Sequence, residues 1–317
     1  MASARTRLFG KLLGVVLLLA VLTLAGCGGG GSGTGGGTNA KPGTGVKVVV
    51  ASKKDADGQL LAEMYALLLQ NQGYTVDLRL ALGDNTVVDS AIKSGQIDIY
   101  PEFTGTALSN NKLPTTQDPQ AAYQEVKTYY EQNLHITWLD AAFGLNDSYG
   151  ICTSQANAQK FNLKTLDDLA KVSGQLTLAG QQDFTDPTTG VLPPAAKVYG
   201  LTFKNTVNIT EQLSFDAVKN GNADVNECYT TDPAIVTDSF VLLTDDKNAF
   251  PNYNPAPLVR DAVLSKSSAI ATTLNPLAAK LTTASQTALI KEVSVDGKNI
   301  KEVAQQFLQQ QGLLPSS

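Results

Sequence analysis

The segment with the clearest chemical content is residues 100–106, which combine aromatic rings, hydroxyl groups and one carboxylate. Ile97 and Ile99 precede it in an apolar run that predicts a short strand, and Pro101 and Gly105 predict that the strand ends in an exposed turn. Ligands of open α/β sheets bind outside such strand ends. The side chains suit a small ligand with a bulky cation at one end and a hydrogen-bond acceptor at the other, and an ordinary strand-end turn is the alternative.

The three cysteines and the one histidine offer little for metal or nucleophile chemistry. The sequence has no CxxC spacing, no nucleophile motif and no phosphate-binding loop, so we predict no metal site and no enzymatic activity. Cys152 and Cys228 are interpreted either as a disulfide, as in many exported proteins, or as two buried thiols. His135 precedes an apolar run and is predicted to be structural.

The N-terminal residues predict an exported, anchored protein. A basic stretch and the apolar residues 12–22 lead to small residues before Cys27, which resembles the signal peptide and lipidation site of a bacterial lipoprotein over residues 1–27. The apolar stretch is shorter than the roughly 18 residues that a membrane-spanning helix needs. Residues 28–45 are rich in Gly, Ser and Thr, and they are predicted to form a flexible tether.

From Val46 onwards, short apolar runs alternate with helical patterns, which predicts α/β architecture with parallel strands. We expect a first lobe over residues 46–145, a second lobe over 146–249, and a return of residues 250–317 to the first lobe with C-terminal helices. One continuous doubly wound sheet is the alternative. The net charge of −5 and the absence of a basic block argue against nucleic acid as a partner.

Several segments, in the same chain order, resemble a known family: the substrate-binding lipoproteins of ABC importers for quaternary-ammonium osmoprotectants such as glycine betaine, choline and carnitine. The resemblance implies a two-lobed type II periplasmic-binding-protein fold of α/β class, in which each lobe is a sheet flanked by helices and the ligand cleft lies between the lobes. The matching segments are residues 49–53 (VVASK), 91–106 (AIKSGQIDIYPEFTGT), 145–149 (LNDSY), 223–232 (ADVNECYTTD), and 242–246 with 250–253 (LLTDD and FPNY).

The resemblance also implies an aromatic cage around the ligand's trimethylammonium group. A quaternary ammonium has no N–H to donate, so its diffuse charge is best met by the negative faces of aromatic rings. The family usually has Tyr at the first cage position, where this chain has Phe103, and each ring taken alone could equally belong to a core. The cage positions fall on Phe103, Tyr149, Tyr229 and Tyr253.

Three further residues match family positions that contact the ligand. Asp147 matches a carboxylate near the cation, and Lys53 and Thr106 match positions that hold the carboxylate or hydroxyl end. Some glycine betaine binders carry an Arg in the segment that corresponds to residues 183–190, and this chain has none there. The missing Arg favours choline or a broader range of ligands.

The function that the resemblance implies is capture of a quaternary ammonium ligand and its delivery to the permease subunits of an ABC importer. It also implies a monomer without cofactor, held on the extracytoplasmic face of the cell membrane by a lipid on Cys27. The alternatives are a binding protein of the same fold for an amino acid or another small polar solute, an enzyme, and a sensor domain.

Overall fold

The strands form two separate five-stranded sheets in the computed structural model, which describes residues 40–188 and 190–316. Because the sheets are separate, the alternative of one continuous sheet is wrong. In spatial order, the first sheet contains Thr75–Gly83 (β2), Lys47–Lys53 (β1), Ile99–Phe103 (β3), Pro255–Arg260 (β10) and Ile136–Trp138 (β4), and the second contains Asn205–Asn208 (β7), Thr177–Gly180 (β6), Val225–Tyr229 (β8), Tyr149–Ser154 (β5) and Phe240–Leu242 (β9).

The helices flank these sheets, and local sequence sets several of their ends. Asp55 caps the first helix by accepting from the Gly58 N–H, and Gly95 ends the second in the left-handed conformation. The helices are Ala56–Asn71 (α1), Asn85–Ser94 (α2), Thr104–Asn110 (α3), Pro119–Leu134 (α4), Gln155–Phe161 (α5), Leu166–Ala170 (α6), Gln182–Thr185 (α7), Leu192–Tyr199 (α8), Glu211–Lys219 (α9), Ala234–Thr237 (α10), Asp261–Leu264 (α11), Ala269–Ala278 (α12), Thr283–Ser294 (α13) and Ile300–Gln310 (α14), with a 3₁₀ turn at Ser173–Gln175.

Strand β10 makes the first sheet mixed, whereas the sequence predicts parallel strands and no strand at residues 255–260. It runs antiparallel to both β3 and β4, while β1 is parallel to β2 and β3. Pro257 lies opposite Pro101 in this pairing. The Thr104 N–H donates to the Asn254 carbonyl (3.1 Å), so alternation along the ladder places the two prolines at a pair that exchanges no hydrogen bonds. Between β3 and β10 the missing proline N–H groups therefore remove no ladder hydrogen bond.

The second sheet also contains both parallel and antiparallel strand pairs. Strand β8 is antiparallel to β5 and parallel to β6, and β5 is also antiparallel to β9. Each sheet has its own buried apolar clusters against its helices. The predicted two-lobed α/β fold, with a sheet flanked by helices in each lobe, is thus confirmed.

Helix α1 joins the first sheet to the C-terminal helices. Leu60 and Leu61 are fully buried in a cluster that also contains Leu289 of α13 and Leu308 of α14. The C-terminal helices therefore pack on the first lobe. Pro276 lies inside α12, which ends two residues later.

The folded body begins before Val46, although residues 40–45 were predicted as part of a flexible tether. Gly43 is buried, and its N–H donates to the Gln72 carbonyl (2.9 Å). A side chain there would collide with the Tyr74 ring, because a Cβ would lie 2.2 Å from Cδ2. The predicted signal peptide and Cys27 lie outside the described residues. Within residues 40–188 and 190–316, no helix is both long and apolar enough to cross a membrane.

Candidate ligand-binding cleft

Residues 100–106 form a strand that leads directly into a helix, and the predicted exposed turn is not present. Strand β3 runs through Phe103 and α3 begins at Thr104, with Phe103 in an extended conformation as the N-cap residue. Pro101 lies within the strand and Gly105 within the helix. Phe103 and Thr106 are therefore placed at a carboxyl end of the first sheet, where ligands bind in open α/β sheets.

The two segments that connect the lobes lie side by side. The Asp147 N–H donates to the Tyr253 carbonyl (3.1 Å), and the Tyr253 N–H donates to Asn146 Oδ1 (2.8 Å). The Ser148 hydroxyl adds a bond to the Pro251 carbonyl (2.7 Å). These bonds join residues 146–148 to 251–253, so Asp147, Tyr149 and Tyr253 are held together where the chain passes between the lobes.

A cleft of about 770 Å³ opens at this junction and is lined by residues of both sheets and of helices α1, α2, α3, α7, α9, α10 and α13. Its volume is in the range of small-molecule sites. All seven residues that the sequence predicts as ligand-binding line it: Lys53, Phe103, Thr106, Asp147, Tyr149, Tyr229 and Tyr253.

Three tyrosines form a continuous aromatic wall in the cleft, which we call the tyrosine wall: Tyr149, Tyr229 and Tyr253. Tyr149 and Tyr229 face each other across β5 and β8, with ring centroids 4.7 Å apart. The Tyr253 ring meets Tyr149 edge-on, with centroids 5.6 Å apart. Phe184 stacks against Tyr149 from the second-lobe core (5.6 Å) and fixes its plane.

Burial raises the pKa of the Tyr149 phenol, and the carboxylates of Asp183, Glu227 and Asp147 add to the effect. Burial likewise raises the pKa of Tyr253, with Asp147 among the contributing groups. Both phenols are therefore neutral at physiological pH. These two rings of the tyrosine wall therefore offer ring faces and hydroxyl groups without a charge of their own.

Gly105 is needed for the position of Tyr253. A Cβ on Gly105 would lie 2.7 Å from Cε1 and Cζ of the Tyr253 ring, which is too close for any real contact. The first turn of α3 can therefore approach the ring only because residue 105 has no side chain. This close approach gives a structural reason for glycine in the Phe-Thr-Gly-Thr segment.

Phe103 takes part in the first-lobe core more than in the tyrosine wall. Its side chain is 5% exposed, and it shares a buried cluster with Leu145, against which Tyr253 also packs. It still lines the cleft, and Lys53 Nζ lies 5.6 Å from its ring centroid. Phe103 thus supports the junction from the first lobe and presents a limited surface to a ligand.

Lys53 lines the cleft but has a partner that sequence reasoning did not identify. Its ammonium forms a buried ion pair with Glu102, which is fully inaccessible to solvent. Glu102 also accepts from the Tyr100 hydroxyl and from the Phe103 N–H (both 2.8 Å). The charge of Lys53 is therefore already neutralised, which weakens its predicted role as an anchor for a ligand carboxylate.

Two of the predicted polar residues reach the cleft from different segments of the chain. Thr106 comes from α3 in the first lobe and supplies a neutral hydroxyl. Asp147 comes from the segment between the lobes, and its Oδ1 accepts a hydrogen bond from the Thr231 hydroxyl. The Thr231 bond fixes one carboxylate oxygen of Asp147 beside the tyrosine wall.

Asp57 is a cleft residue that the sequence analysis missed. It lies in the first turn of α1, is 9% exposed, and has an Oδ1 atom that is buried without a hydrogen-bond partner. Burial raises its pKa well above the usual value, and the Asp147 carboxylate adds to the increase. The sequence offered one signal, the Asp-Ala-Asp segment at the start of the helix. Asp55 of that segment is accounted for as the N-cap residue of α1.

The described residues that line the cleft carry an excess of negative charge. Aspartates outnumber lysines by eight to three, Lys53 is paired with Glu102, and no arginine lines the cleft. No group of carboxylates among residues 40–188 and 190–316 has the arrangement of a metal site. The eight aspartates are Asp55, Asp57, Asp84, Asp147, Asp183, Asp216, Asp232 and Asp238. A cleft of this composition favours an organic cation.

The structure joins Cys152 and Cys228 in a disulfide, with Cα atoms 5.8 Å apart. The bond connects β5 to β8 diagonally, because Cys152 is paired in register with Asn226 and Cys228 with Gly150. Tyr149 lies at the end of β5 and Tyr229 is adjacent to Cys228. The bridge therefore constrains the two strands that carry the closest pair of the tyrosine wall.

Comparisons with known proteins agree with the fold and the cleft. The family model described as the substrate binding domain of ABC-type glycine betaine transport systems matches residues 46–310. The carnitine transport binding protein OpuCC of Listeria monocytogenes is 31% identical over 263 residues, which cover 82% of this chain and 85% of that protein. The glycine betaine-binding protein YehZ of Escherichia coli is 29% identical over 278 residues, covering 84% of this chain and 90% of YehZ.

Solved structures of similar proteins show the same architecture. Apo YehZ from Escherichia coli superposes with a TM-score of 0.70 at 28% identity, over 84% of this chain and 99% of that one. A crystal structure of a glycine betaine/carnitine/choline ABC transporter gives a TM-score of 0.75 at 26% identity, with the same coverage. The chain belongs to the family of substrate-binding domains of ABC-type glycine betaine transport systems.

Proposed function

We propose that this member of the glycine betaine transport family captures a quaternary ammonium compound in its cleft and delivers it to the membrane subunits of an ABC importer. The observation that carries the proposal is the tyrosine wall, in which the Tyr149 ring lies 4.7 Å from the Tyr229 ring and 5.6 Å from the Tyr253 ring, in a cleft that Asp147 also lines. Ring faces attract a trimethylammonium group by about 0.5 to 2 kcal/mol each. The nearby carboxylate balances its charge without a hydrogen bond.

The tyrosine wall separates this ligand class from amino acids. The primary ammonium of an amino acid donates hydrogen bonds, whereas aromatic ring faces suit a cation that has no N–H to donate. The names of the relatives support the same choice, since glycine betaine and carnitine both carry a trimethylammonium group.

Ligand capture is proposed to close the two lobes around the cation. Phe103 and Thr106 belong to the first lobe and Tyr149 and Tyr229 to the second, so a ligand in contact with both sets holds the lobes together. Residues 146–148 and 251–253 are the connections that would bend. The closed form is the state that permease subunits would recognise, and the protein's part is binding without catalysis.

Membrane attachment is proposed to occur through a lipid on Cys27, with the folded body as a monomer outside the cytoplasm. The support is the resemblance of residues 1–27 to a lipoprotein signal peptide. Replacement Cys27→Ala should leave the protein unprocessed or release it into the soluble fraction. A processed variant that stays on the membrane like the wild type would contradict the lipid anchor.

Calorimetric titration tests the ligand class directly. The wild type should bind choline, glycine betaine or carnitine at millimolar concentration or below, and Tyr149→Ala should weaken binding by about tenfold, the equivalent of about 1.4 kcal/mol. Tyr129→Ala is the matched control, because Tyr129 lies on α4, outside the cleft lining. The proposal fails if no quaternary ammonium compound binds, or if Tyr149→Ala and Tyr129→Ala bind the ligand equally well.

A further inference from the structure

Glu227 is a buried glutamate that lies on the same face of the second sheet as the closest pair of the tyrosine wall. Tyr149 faces Tyr229 across β5 and β8. The next pair on that face joins Ile151 to Glu227, two residues or about 7 Å along the strands. Glu227 is inaccessible to solvent and is not among the described residues that line the cleft. An effect of Glu227 on a ligand therefore passes through neighbouring groups, without direct contact.

The Glu227 carboxylate holds the point where β6 leads into helix α7. Its Oε2 accepts a hydrogen bond from the Gln181 N–H (2.6 Å), and Gln181 is the N-cap residue of α7. Gly180, the last residue of β6, leaves room for the carboxylate, since a Cβ at residue 180 would lie 3.1 Å from both Cβ and Oε2 of Glu227. The start of α7 is thus fixed by a fully buried acceptor on the strand that carries Tyr229.

Helix α7 carries Phe184, the fully buried ring that stacks on Tyr149. The two ring planes are 21° apart, with centroids at 5.6 Å, and Phe184 also stacks on Phe250 at 5.9 Å. The Cβ that residue 180 lacks would lie 3.3 Å from Cδ1 of Phe184, so Gly180, Phe184 and Glu227 pack as one group. A shift at the start of α7 would therefore move Phe184 and tilt the Tyr149 ring that rests on it.

The other described hydrogen bonds of α7 to the second sheet are exposed. The Thr185 hydroxyl donates to Asn208 Oδ1 (2.6 Å), and Asn208 Nδ2 donates to Gln182 Oε1 (2.9 Å). Asn208 belongs to the edge strand β7, whose four residues are all exposed. Exposed bonds compete with water and contribute little, whereas a buried group that loses its partner incurs the full desolvation penalty. The Glu227 bond is therefore the attachment on which the position of α7 depends most.

We propose that Glu227 is a positioning residue for cation recognition, which sets the plane of the Tyr149 ring through Gln181 and Phe184. This inference rests on the proposed function, in which the face of Tyr149 meets the trimethylammonium group. A ring attracts a cation best when the cation lies over its face, so a tilted ring binds less tightly although its chemistry is unchanged. Glutamate is rarely buried, and a directional hydrogen bond to the start of α7 gives a reason for one here.

The test is calorimetric titration of choline, or of glycine betaine if the wild type binds it more tightly, into variants of Glu227. Glu227→Met keeps the approximate size and removes the acceptor, so it should weaken binding by about tenfold. Glu227→Gln keeps an acceptor oxygen for the Gln181 N–H and should stay within about threefold of the wild type. Thr153→Val is the matched control, because it removes a buried hydroxyl that bonds the Asp224 carbonyl (2.7 Å) towards the other end of β5. It should lower stability and leave the affinity unchanged.

A second set of variants shows whether Glu227 acts through the Tyr149 ring. In a Tyr149→Ala background, Glu227→Met should cause no further loss of affinity, because the ring that it positions is absent. A general structural effect would add its loss in either background. Gly180→Ala reaches the same group from β6, and it should reproduce the loss because the new Cβ would press on both Glu227 and Phe184.

The outcomes separate this inference from the proposed function. If Glu227→Met binds as tightly as the wild type, if Glu227→Gln loses as much affinity as Glu227→Met, or if the loss persists in the Tyr149→Ala background, the positioning role is wrong while the cation site stands. Circular dichroism and a thermal melt show whether Glu227→Met is folded. If it is not, Gly180→Ala decides, and unchanged affinity in that variant overturns the inference. If the wild type binds neither choline, glycine betaine nor carnitine, the proposed function itself fails.

Discussion

Tyr149 and Tyr229 are direct cross-strand neighbours on β5 and β8, and their ring centroids lie 4.7 Å apart. The Cys152–Cys228 disulfide joins the same two strands beyond this pair. Because the strands are fixed to each other by both ladder and bridge, the two rings hold their spacing without a ligand. A preformed site of this kind loses little side-chain entropy on binding.

The first prediction is that the aromatic ring of Tyr229, and not its hydroxyl group, recognises the ligand. Tyr229→Ala removes a face of the tyrosine wall and should weaken choline binding by about tenfold, whereas Tyr229→Phe keeps the face and should change the affinity by less than about threefold. Calorimetric titration of the two variants makes the comparison. Equal losses in both would show that the hydroxyl group, and not the ring, recognises the ligand.

The second prediction concerns the contact between Gly105 and Tyr253. Gly105→Ala should displace the Tyr253 ring, since the new Cβ would lie 2.7 Å from it, and should weaken choline binding by about tenfold or more. The overpacking should cost about 1 to 3 kcal/mol of stability, of which the preference of alanine for the helix offsets about 0.5 to 1 kcal/mol, so the variant should stay folded. Gly174→Ala is the control, since its Cβ would meet the Thr202 carbonyl at an ordinary 3.7 Å. Unchanged affinity in Gly105→Ala would mean that Tyr253 does not contact the ligand.

The third prediction separates the structural role of Lys53 from ligand binding. Lys53→Met leaves the buried Glu102 carboxylate without its partner and should lower the free energy of unfolding by about 3 to 5 kcal/mol. The double variant Lys53→Met/Glu102→Gln removes both charges and should recover much of that loss. Urea denaturation of the wild type, Lys53→Met and the double variant measures these differences in the free energy of unfolding. A loss below about 1 kcal/mol in Lys53→Met would contradict the buried ion pair.

The fourth prediction is a pH dependence at Asp57. Its pKa is raised above the ordinary value of 3.8, mainly by burial, so its contribution to stability is fully present below pH 3.8 and is lost as pH rises through the raised pKa. Asp57→Asn does not titrate. The ligand-free variant should therefore gain stability relative to the wild type as pH rises from about 3 to about 8, with little difference at the acid end.

Thermal or urea unfolding at several pH values measures this difference, with Asp216→Asn as the exposed control. The free energy of unfolding of Asp57→Asn relative to the wild type should increase as pH rises. A difference that stays constant or decreases would contradict the raised pKa of Asp57.

Much of this architecture was readable from the sequence because it depends on local signals. The apolar run at Ile97 and Ile99 predicted a strand where β3 lies, and the alternation of apolar runs with helical patterns from Val46 onwards predicted the α/β architecture. The resemblance then placed seven residues from distant segments in one cleft, which local patterns could not do.

The features that were missed depend on contacts between distant residues. Strand β10 contains two prolines that argue against a strand until Pro101 is known to lie opposite one of them. The partner of Lys53 lies 49 residues away, and a glutamate is rarely buried. Asp57 looks like part of a helix start, and only its burial beside Asp147 marks it as a cleft residue.

The most direct test of the central claim compares choline with 3,3-dimethylbutan-1-ol, its neutral isostere, in which carbon replaces the quaternary nitrogen. The two compounds have the same shape and the same hydroxyl group, so the difference in their affinity isolates the recognition of charge by the tyrosine wall and the acidic cleft. We predict that choline binds the wild type at least about 100-fold more tightly. Equal affinity for the two would show that the cleft selects by shape alone and would contradict cation recognition.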